Sequence, residues 1–95
     1  MMKQNKNKLV SIIIRTKNEE RWITPCLESI STQTYKNFEI IIIDNCSTDK
    51  TIEKAKQFKI SKILKINKFL PGKAINLGIK NSKGSYAVIL SAHAI

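Results

Sequence analysis

The polar residues of greatest chemical interest in this chain follow a short, strongly apolar run. Four isoleucines at positions 40–43 lead directly into a turn that carries carboxylate, amide and hydroxyl groups, namely Asp44, Asn45, Ser47 and Asp49. A run that is this apolar, this short and this abruptly ended is typical of a strand buried on both faces of a parallel sheet. Ligands bind at the carboxyl ends of such strands, so the turn predicts a small-molecule site.

The elements around this turn alternate between strands and helices. Hydrophobic patterns predict strands at residues 9–14, 38–43, 60–66 and 86–90, separated by helices at 19–33, at about 47–58 and from about 74 to a stop at Gly84. This order predicts an α/β fold, a three-layer α/β/α sandwich with a mostly parallel, Rossmann-like sheet that stops after its fourth strand. The mixed pattern of 60–66 suits a sheet edge, whereas 86–90 reads as buried.

Local signals refine the helices. Glu19 and Glu20 are expected in the first turn of the first helix, where they favour its positive dipole end, and Pro25 requires the helix proper to begin nearby. The hydroxyls and acid at residues 47–49 predict the capped start of the second helix. The dipeptide Pro71-Gly72 predicts a break before the third.

Length and composition bound the class of protein. The chain has 95 residues, of which 42% are apolar and 25% charged, as expected for one globular domain with a modest core. Residues 1–8 form a basic segment that we expect to be flexible, and no apolar run approaches the roughly 18 residues of a membrane span. We therefore expect a cytoplasmic location, either free or at the inner face of the membrane. Cys26 is expected in the core and Cys46 in a turn, without disulfide or zinc chemistry.

The net charge of +10 raises the question of a polyanionic partner. The lysines are spread along the chain, Arg15 and Arg21 are the two arginines, and no aromatic platform for bases is interleaved with them. A solvated basic surface is therefore favoured over a nucleic-acid site.

Four motifs, in order, resemble the amino-terminal half of family-2 glycosyltransferases, which have the GT-A fold. They read SIIIRTKNEE at 11–20, IDNCSTDKT at 43–51, GKAINLG at 72–78, and GSY with LSAH at 84–86 and 90–93. The resemblance covers residues 9–95 and implies that this segment binds a nucleotide-diphosphate-sugar donor. The implied donor-binding residues are Arg15, Thr16, Asn18, Asp44, Asn45, Ser47, Lys73, Asn76 and Ser91.

The resemblance also implies a division of tasks. Asp44 and Asn45 would contact the base, at a place where the family often has two acids, and a crevice must therefore open beside Asp44. The loop at 15–18 would surround the base and ribose, with Lys17 in place of the usual aromatic residue. Lys73 would hold a phosphate at a helix start or would simply be solvated. Asn76 would bond a loop backbone or the ligand.

The expected metal chemistry is altered in this sequence. The family carries an Asp-x-Asp motif at the end of the fourth strand, which binds a divalent cation, Mn²⁺ or Mg²⁺, beside the diphosphate. This chain has Ser91-Ala92-His93 instead, so His93 is the one implied metal ligand, unless it donates directly to the diphosphate or has no ligand role. The catalytic base of the family lies downstream of Ile95, so no residue is assigned to it.

The expected function is donor binding in an inverting glycosyltransferase that acts on a saccharide or lipid-linked acceptor in surface polysaccharide or glycolipid synthesis. Two alternatives remain at this level. Asp44 also fits a phospho-acceptor signalling domain, with Glu19 and Glu20 as its further acids, and the charge fits a polyanion-binding module. By itself the segment is expected to be inactive, and to self-associate through its last strand.

Overall fold

The computed structural model describes residues 8–67 and 71–92. Within these residues strands and helices alternate strictly. The elements are β1 (Val10–Thr16), α1 (Ile23–Ser31), β2 (Phe38–Asp44), α2 (Thr51–Ala55), β3 (Lys62–Lys65), α3 (Pro71–Lys80) and β4 (Tyr86–Ser91). Two predictions fall outside the described residues, namely the flexible start of the chain at residues 1–7 and the metal ligand His93.

The four strands form one parallel sheet in the order β3-β2-β1-β4. The predicted α/β sandwich and the edge position of the third strand are therefore confirmed. Thr16 pairs with Asp44 across β1 and β2, and Arg15 pairs with Ser91 across β1 and β4. This register brings the polar ends of the three strands to the same edge of the sheet.

The core consists of two layers because the isoleucines of the central strands alternate between the two faces of the sheet. Ile12 and Ile14 pack with Leu27 of α1 on one face, whereas Ile13 packs with Ala74 of α3 on the other. Continuous apolar runs are what a sheet covered on both faces requires. Cys26 lies in the first layer as predicted; burial, together with the charge of Glu19, raises the pKa of its thiol.

The first helix and the strand before it differ from the predicted bounds. Arg15 and Thr16 belong to β1 because both are paired with neighbouring strands, so the loop is shorter than expected. Glu19 and Glu20 precede α1 and have no place in its first turn. Pro25 is the third helical residue, where its missing N–H costs no helical hydrogen bond.

The other two helices also begin and end elsewhere than predicted. The second helix has only five residues, and its cap position, Lys50, makes no side-chain capping bond. The dipeptide Pro71-Gly72 opens α3 and does not break the chain, since proline suits the first helical position. Gly84 does not end this helix, which stops at Lys80. Instead, Gly84 lies close to β1, and its N–H donates to the hydroxyl of Ser11 over 2.8 Å.

The prediction that β4 is buried is wrong. Tyr86 is 50% exposed and Val88 is 42% exposed, because β4 is an edge strand and the described residues leave much of it uncovered. Self-association through this strand stays a prediction. No helix among the described residues is long and apolar enough to cross a membrane.

Candidate functional site

A cavity of about 160 Å³ opens at the carboxyl ends of β1 and β4, beside the turn that follows β2. Its position follows from the parallel register, which places polar residues from three strand ends at one edge of the sheet. Residues from the first, second and fourth motifs line it. They are Arg15, Thr16, Lys17, Glu19, Asn45 and Ser91.

Asn45 is the best-placed residue of the cavity for recognising a ligand. It is 7% exposed, and its backbone N–H is fixed by a 2.9 Å bond to the carbonyl of Thr16. No hydrogen bond reaches its side-chain amide from any residue that the structure describes. The amide lines the cavity, so its donor and its acceptor are both available to a molecule bound there.

Arg15 presents a second unsatisfied group. Its side chain is partly buried, and its Nε atom is fully buried without a hydrogen-bond partner among the described residues. Ser91, its neighbour across the register, lines the same cavity. The guanidinium is always charged, so it favours an anionic or strongly accepting group at this point.

Asp44 does not line the cavity, in contrast to the role expected for it. Asp44 is only 1% exposed. Its carboxylate accepts hydrogen bonds from the Thr16 hydroxyl at 2.5 Å, from the Ser47 hydroxyl at 2.6 Å and from the Ser47 N–H at 2.9 Å. These bonds tie the end of β1 to the turn after β2. The carboxylate therefore positions the cavity wall, and the crevice opens beside Asn45, one residue further on.

Asn18 and Ser47 connect the two loops to each other. Asn18 adopts the left-handed φ of 52°, and its Oδ1 accepts a 2.8 Å bond from the N–H of Thr48. The N–H of Asn18 in turn donates to the Ser47 hydroxyl over 2.8 Å. Neither side chain lines the cavity. They shape its rim by joining segments that are about thirty residues apart.

A second set of bonds continues this connection toward the helices. The N–H of Glu19 donates to the Thr51 hydroxyl at 2.7 Å, and the N–H of Glu20 donates to Asp49 Oδ2 at 3.1 Å. The Glu20 carboxylate accepts from the N–H of Lys50 at 3.1 Å. These contacts explain why both glutamates lie outside α1. Sequence reasoning missed Thr51, and its only signal was a hydroxyl at the end of the second motif.

The Asp49 carboxylate makes stability depend on pH. Burial opposes its ionisation, but hydrogen bonds from the Thr51 hydroxyl and from the N–H groups of Thr51 and Glu20 outweigh burial and lower its pKa below the ordinary 3.8. Since the folded pKa is below the unfolded one, this stabilisation is present above pH 3.8 and is lost as the pH falls through the folded value.

We therefore expect the free energy of unfolding, measured with urea, to fall as the pH is lowered below 3.8. The variant Asp49→Asn should show a shallower decline, because it removes this carboxylate. Part of the decline will remain in this variant because of Glu39. Burial opposes the ionisation of Glu39 too, but bonds from the Lys83 N–H and the Ser11 hydroxyl lower its pKa. An identical pH profile for the variant and the wild type would contradict the assignment of Asp49.

The remaining predicted residues are not brought together with the cavity. Lys73 and Asn76 lie exposed on α3 and do not line it. The bond expected from Asn76 to a loop backbone is absent among the described residues. His93, the implied metal ligand, is outside them.

The described residues do not fit a metal centre. They contain no group of three or more His, Cys, Asp or Glu side chains arranged to hold an ion. The buried carboxylate at this edge, that of Asp44, already accepts three bonds from the chain. The end of β4 offers the hydroxyl of Ser91, followed by the buried Ala92.

The sequence profile of glycosyl transferase family 2 matches residues 11–95. The chain belongs to this family. The parallel sheet and its helices match the GT-A fold, as the resemblance implied. Family membership thus agrees with the geometry of the site.

Relatives of this family-2 chain transfer sugars. A Methanococcus voltae protein named dolichyl N-acetyl-alpha-D-glucosaminyl phosphate 3-beta-D-2,3-diacetamido-2,3-dideoxy-beta-D-glucuronosyltransferase is 44% identical over 90% of the chain. The poly(ribitol-phosphate) beta-N-acetylglucosaminyltransferase TarS of Staphylococcus aureus is 29% identical over 86% of it. The chain spans 29% of the length of the first relative and 16% of the second.

Solved structures give the same result for the fold. The crystal structure of S. aureus TarS 1-349 in complex with UDP-GlcNAc has a TM-score of 0.79 at 28% identity, covering 87% of this chain and 26% of that one. The mannosyltransferase PcManGT from Pyrobaculum calidifontis, in complex with GDP-Man and Mn²⁺, has a TM-score of 0.78 at 24% identity and bears on the fold alone; it covers 87% of this chain and 27% of that one.

Proposed function

We propose that the cavity holds the nucleotide of a nucleotide-diphosphate-sugar donor. One observation supports this most strongly: the side chain of Asn45, which makes no hydrogen bond with any described residue, lines the same cavity as the buried, unpartnered Nε of Arg15. A base with an imide donor flanked by carbonyl acceptors matches the donor and acceptor of an amide. The relative TarS was crystallised with UDP-GlcNAc, which makes a uracil base the first candidate.

The proposed reaction of the whole protein is transfer of a sugar, with inversion, from this donor to a saccharide or lipid-linked acceptor. The names of the relatives, which act on a dolichyl phosphate-linked sugar and on poly(ribitol-phosphate), support an acceptor in surface glycolipid or polysaccharide synthesis. The residues of this chain contribute donor binding, and the base that deprotonates the acceptor is proposed to lie beyond Ile95. We propose that the reaction takes place on the cytoplasmic side of the cell.

Three of the sequence-derived residues act indirectly in this proposal. Asp44 holds Thr16 at the cavity wall, and Asn18 and Ser47 hold the two loops that border the cavity. A ligand contact is preorganised when the residues that support it have fixed hydrogen bonds. Lys73 lies exposed near the start of α3, and its proposed role is to contact the phosphates of the donor.

The alternative of a phospho-acceptor domain is not favoured. Phosphorylation requires an accessible aspartate oxygen, whereas the carboxylate of Asp44 is buried and accepts three hydrogen bonds. The Glu20 carboxylate accepts a bond from the N–H of Lys50, and the N–H groups of Glu19 and Glu20 donate to Thr51 and Asp49. Family membership favours the transferase over this alternative and over a polyanion-binding module as well.

Calorimetric titration with UDP, and separately with GDP, tests the proposal. The wild-type chain should bind UDP, and Asn45→Ala should weaken binding by about tenfold or more, as expected for the loss of a buried base contact. The matched control is Asn37→Ala, which removes an exposed amide from the loop before β2. Equal affinities for all three proteins would contradict the role of Asn45, and a wild type that binds neither UDP nor GDP would contradict the proposed function.

A further inference from the structure

We infer that the guanidinium of Arg15 holds the diphosphate of the donor directly, so that nucleotide binding by this chain does not depend on a divalent cation. The inference rests on the proposed function, and it assigns a charge-binding role within the same cavity. It also accounts for the disagreement between the metal chemistry that the family motif implies and the side chains that occupy this edge of the sheet.

The first observation is the pairing of Arg15 with the end of β4. In the register of β1 and β4, Arg15 lies directly opposite Ser91, at the position where the resemblance implies the first acid of Asp-x-Asp. Both residues line the cavity. A neutral hydroxyl therefore stands where a carboxylate would bind a cation, and a fixed positive charge stands beside it.

The second observation is the unsatisfied Nε of Arg15. This atom is buried and has no hydrogen-bond partner among the described residues. A buried donor on a charged group is costly unless it is paired, so an acceptor supplied by the ligand would satisfy it. Phosphate oxygens suit the guanidinium best, because its planar fork can bind two of them at once.

The charges around the cavity agree with an anionic ligand. Two cationic residues line it, Arg15 and the exposed Lys17, against one acidic residue, Glu19. A divalent cation placed among these side chains would meet two positive charges and, among the lining residues, a single carboxylate. A diphosphate in the same cavity would be attracted by the two cationic residues and repelled by only one carboxylate.

The experiment measures affinity for UDP and for uridine, each in EDTA and in Mn²⁺. For the wild type, UDP affinity should be the same in both buffers within about twofold and should exceed uridine affinity by at least about tenfold. Arg15→Met should reduce UDP affinity to nearly that of uridine and leave uridine affinity unchanged. Arg21→Met is the matched control, since Arg21 is exposed and stacks on Trp22 away from the cavity wall.

Two further readouts separate the outcomes. Arg15→Lys keeps the charge without the fork and should show an intermediate loss, while thermal unfolding checks that each variant is folded. UDP binding that requires Mn²⁺, or that is unaffected in Arg15→Met, would overturn the inference and leave the proposed function intact. Absence of wild-type binding to UDP, to uridine and to GDP would overturn the proposed function itself and the inference with it.

Discussion

Replacing Asp44 with alanine is expected to destabilise the fold by about 3 kcal/mol or more, because hydrogen bonds to a charged group contribute roughly 1.5–3 kcal/mol each and their donors would be left unpaired. The donors are the hydroxyls of Thr16 and Ser47 and the N–H of Ser47. Small domains have only about 5–15 kcal/mol of total stability, so a large part of it would be lost. Urea unfolding monitored by circular dichroism measures the change.

The matched control for this prediction is Glu53→Ala, which removes an exposed carboxylate from α2. A surface change of this kind should alter stability by no more than about 0.5 kcal/mol. The more conservative Asp44→Asn retains the shape but can accept on only one atom, so its effect should lie between the two. If Asp44→Ala and Glu53→Ala lowered the free energy of unfolding equally, the hydrogen bonds of the Asp44 carboxylate would not stabilise the fold as expected.

Gly84→Ala is expected to cost about 2 kcal/mol or more because β1 passes too close for a side chain. A methyl group here would lie 2.4 Å from the Ser11 hydroxyl, 2.7 Å from the Ser11 backbone N and 2.8 Å from the Leu9 carbonyl oxygen. Two of these atoms belong to the backbone, so the strand itself would have to move, and overpacking of this kind typically costs about 1–3 kcal/mol. The midpoint of thermal unfolding should fall accordingly.

The opposite result is expected for Gly72→Ala, at the second residue of α3. Nothing lies within 4 Å of a methyl group built there, and alanine has a higher helix propensity by about 1 kcal/mol, so this variant should be neutral or slightly more stable. The double variant Ser11→Ala/Gly84→Ala should recover only part of the loss, since the backbone contacts remain. Comparable stability of Gly84→Ala and Gly72→Ala would show that β1 yields at no cost.

The layers of the fold could be predicted because the apolar runs of the strands carry their own signal. The run at 40–43 is buried on both faces of the sheet, as its composition indicates. The strand at 86–90 has a similar composition but lies at an edge. An apolar run indicates only that a segment can be buried, and exposure depends on which elements are present to cover it.

The candidate site could be located but not resolved from the sequence. The pattern shows that Asp44 and Asn45 both follow a strand, but which of them reaches the cavity depends on the path of the turn, where Cys46 takes a positive φ of 50°. Likewise, Asn18 accepts a bond from the N–H of Thr48 and Glu19 donates one to the Thr51 hydroxyl, so each bond joins residues about thirty positions apart. Local propensity carries no information about such pairs, so Glu19 was expected in a helix.

The central claim is that a nucleotide occupies the cavity beside Asn45. The most direct measurement is a titration of the ¹⁵N-labelled chain with UDP, followed by the shifts of individual amide signals. The largest shifts should belong to Arg15, Thr16, Lys17, Asn45 and Ser91, with no change at Glu28 or Lys36, which do not line this cavity. Shifts confined to other parts of the chain, or no shifts at millimolar UDP, would contradict the account.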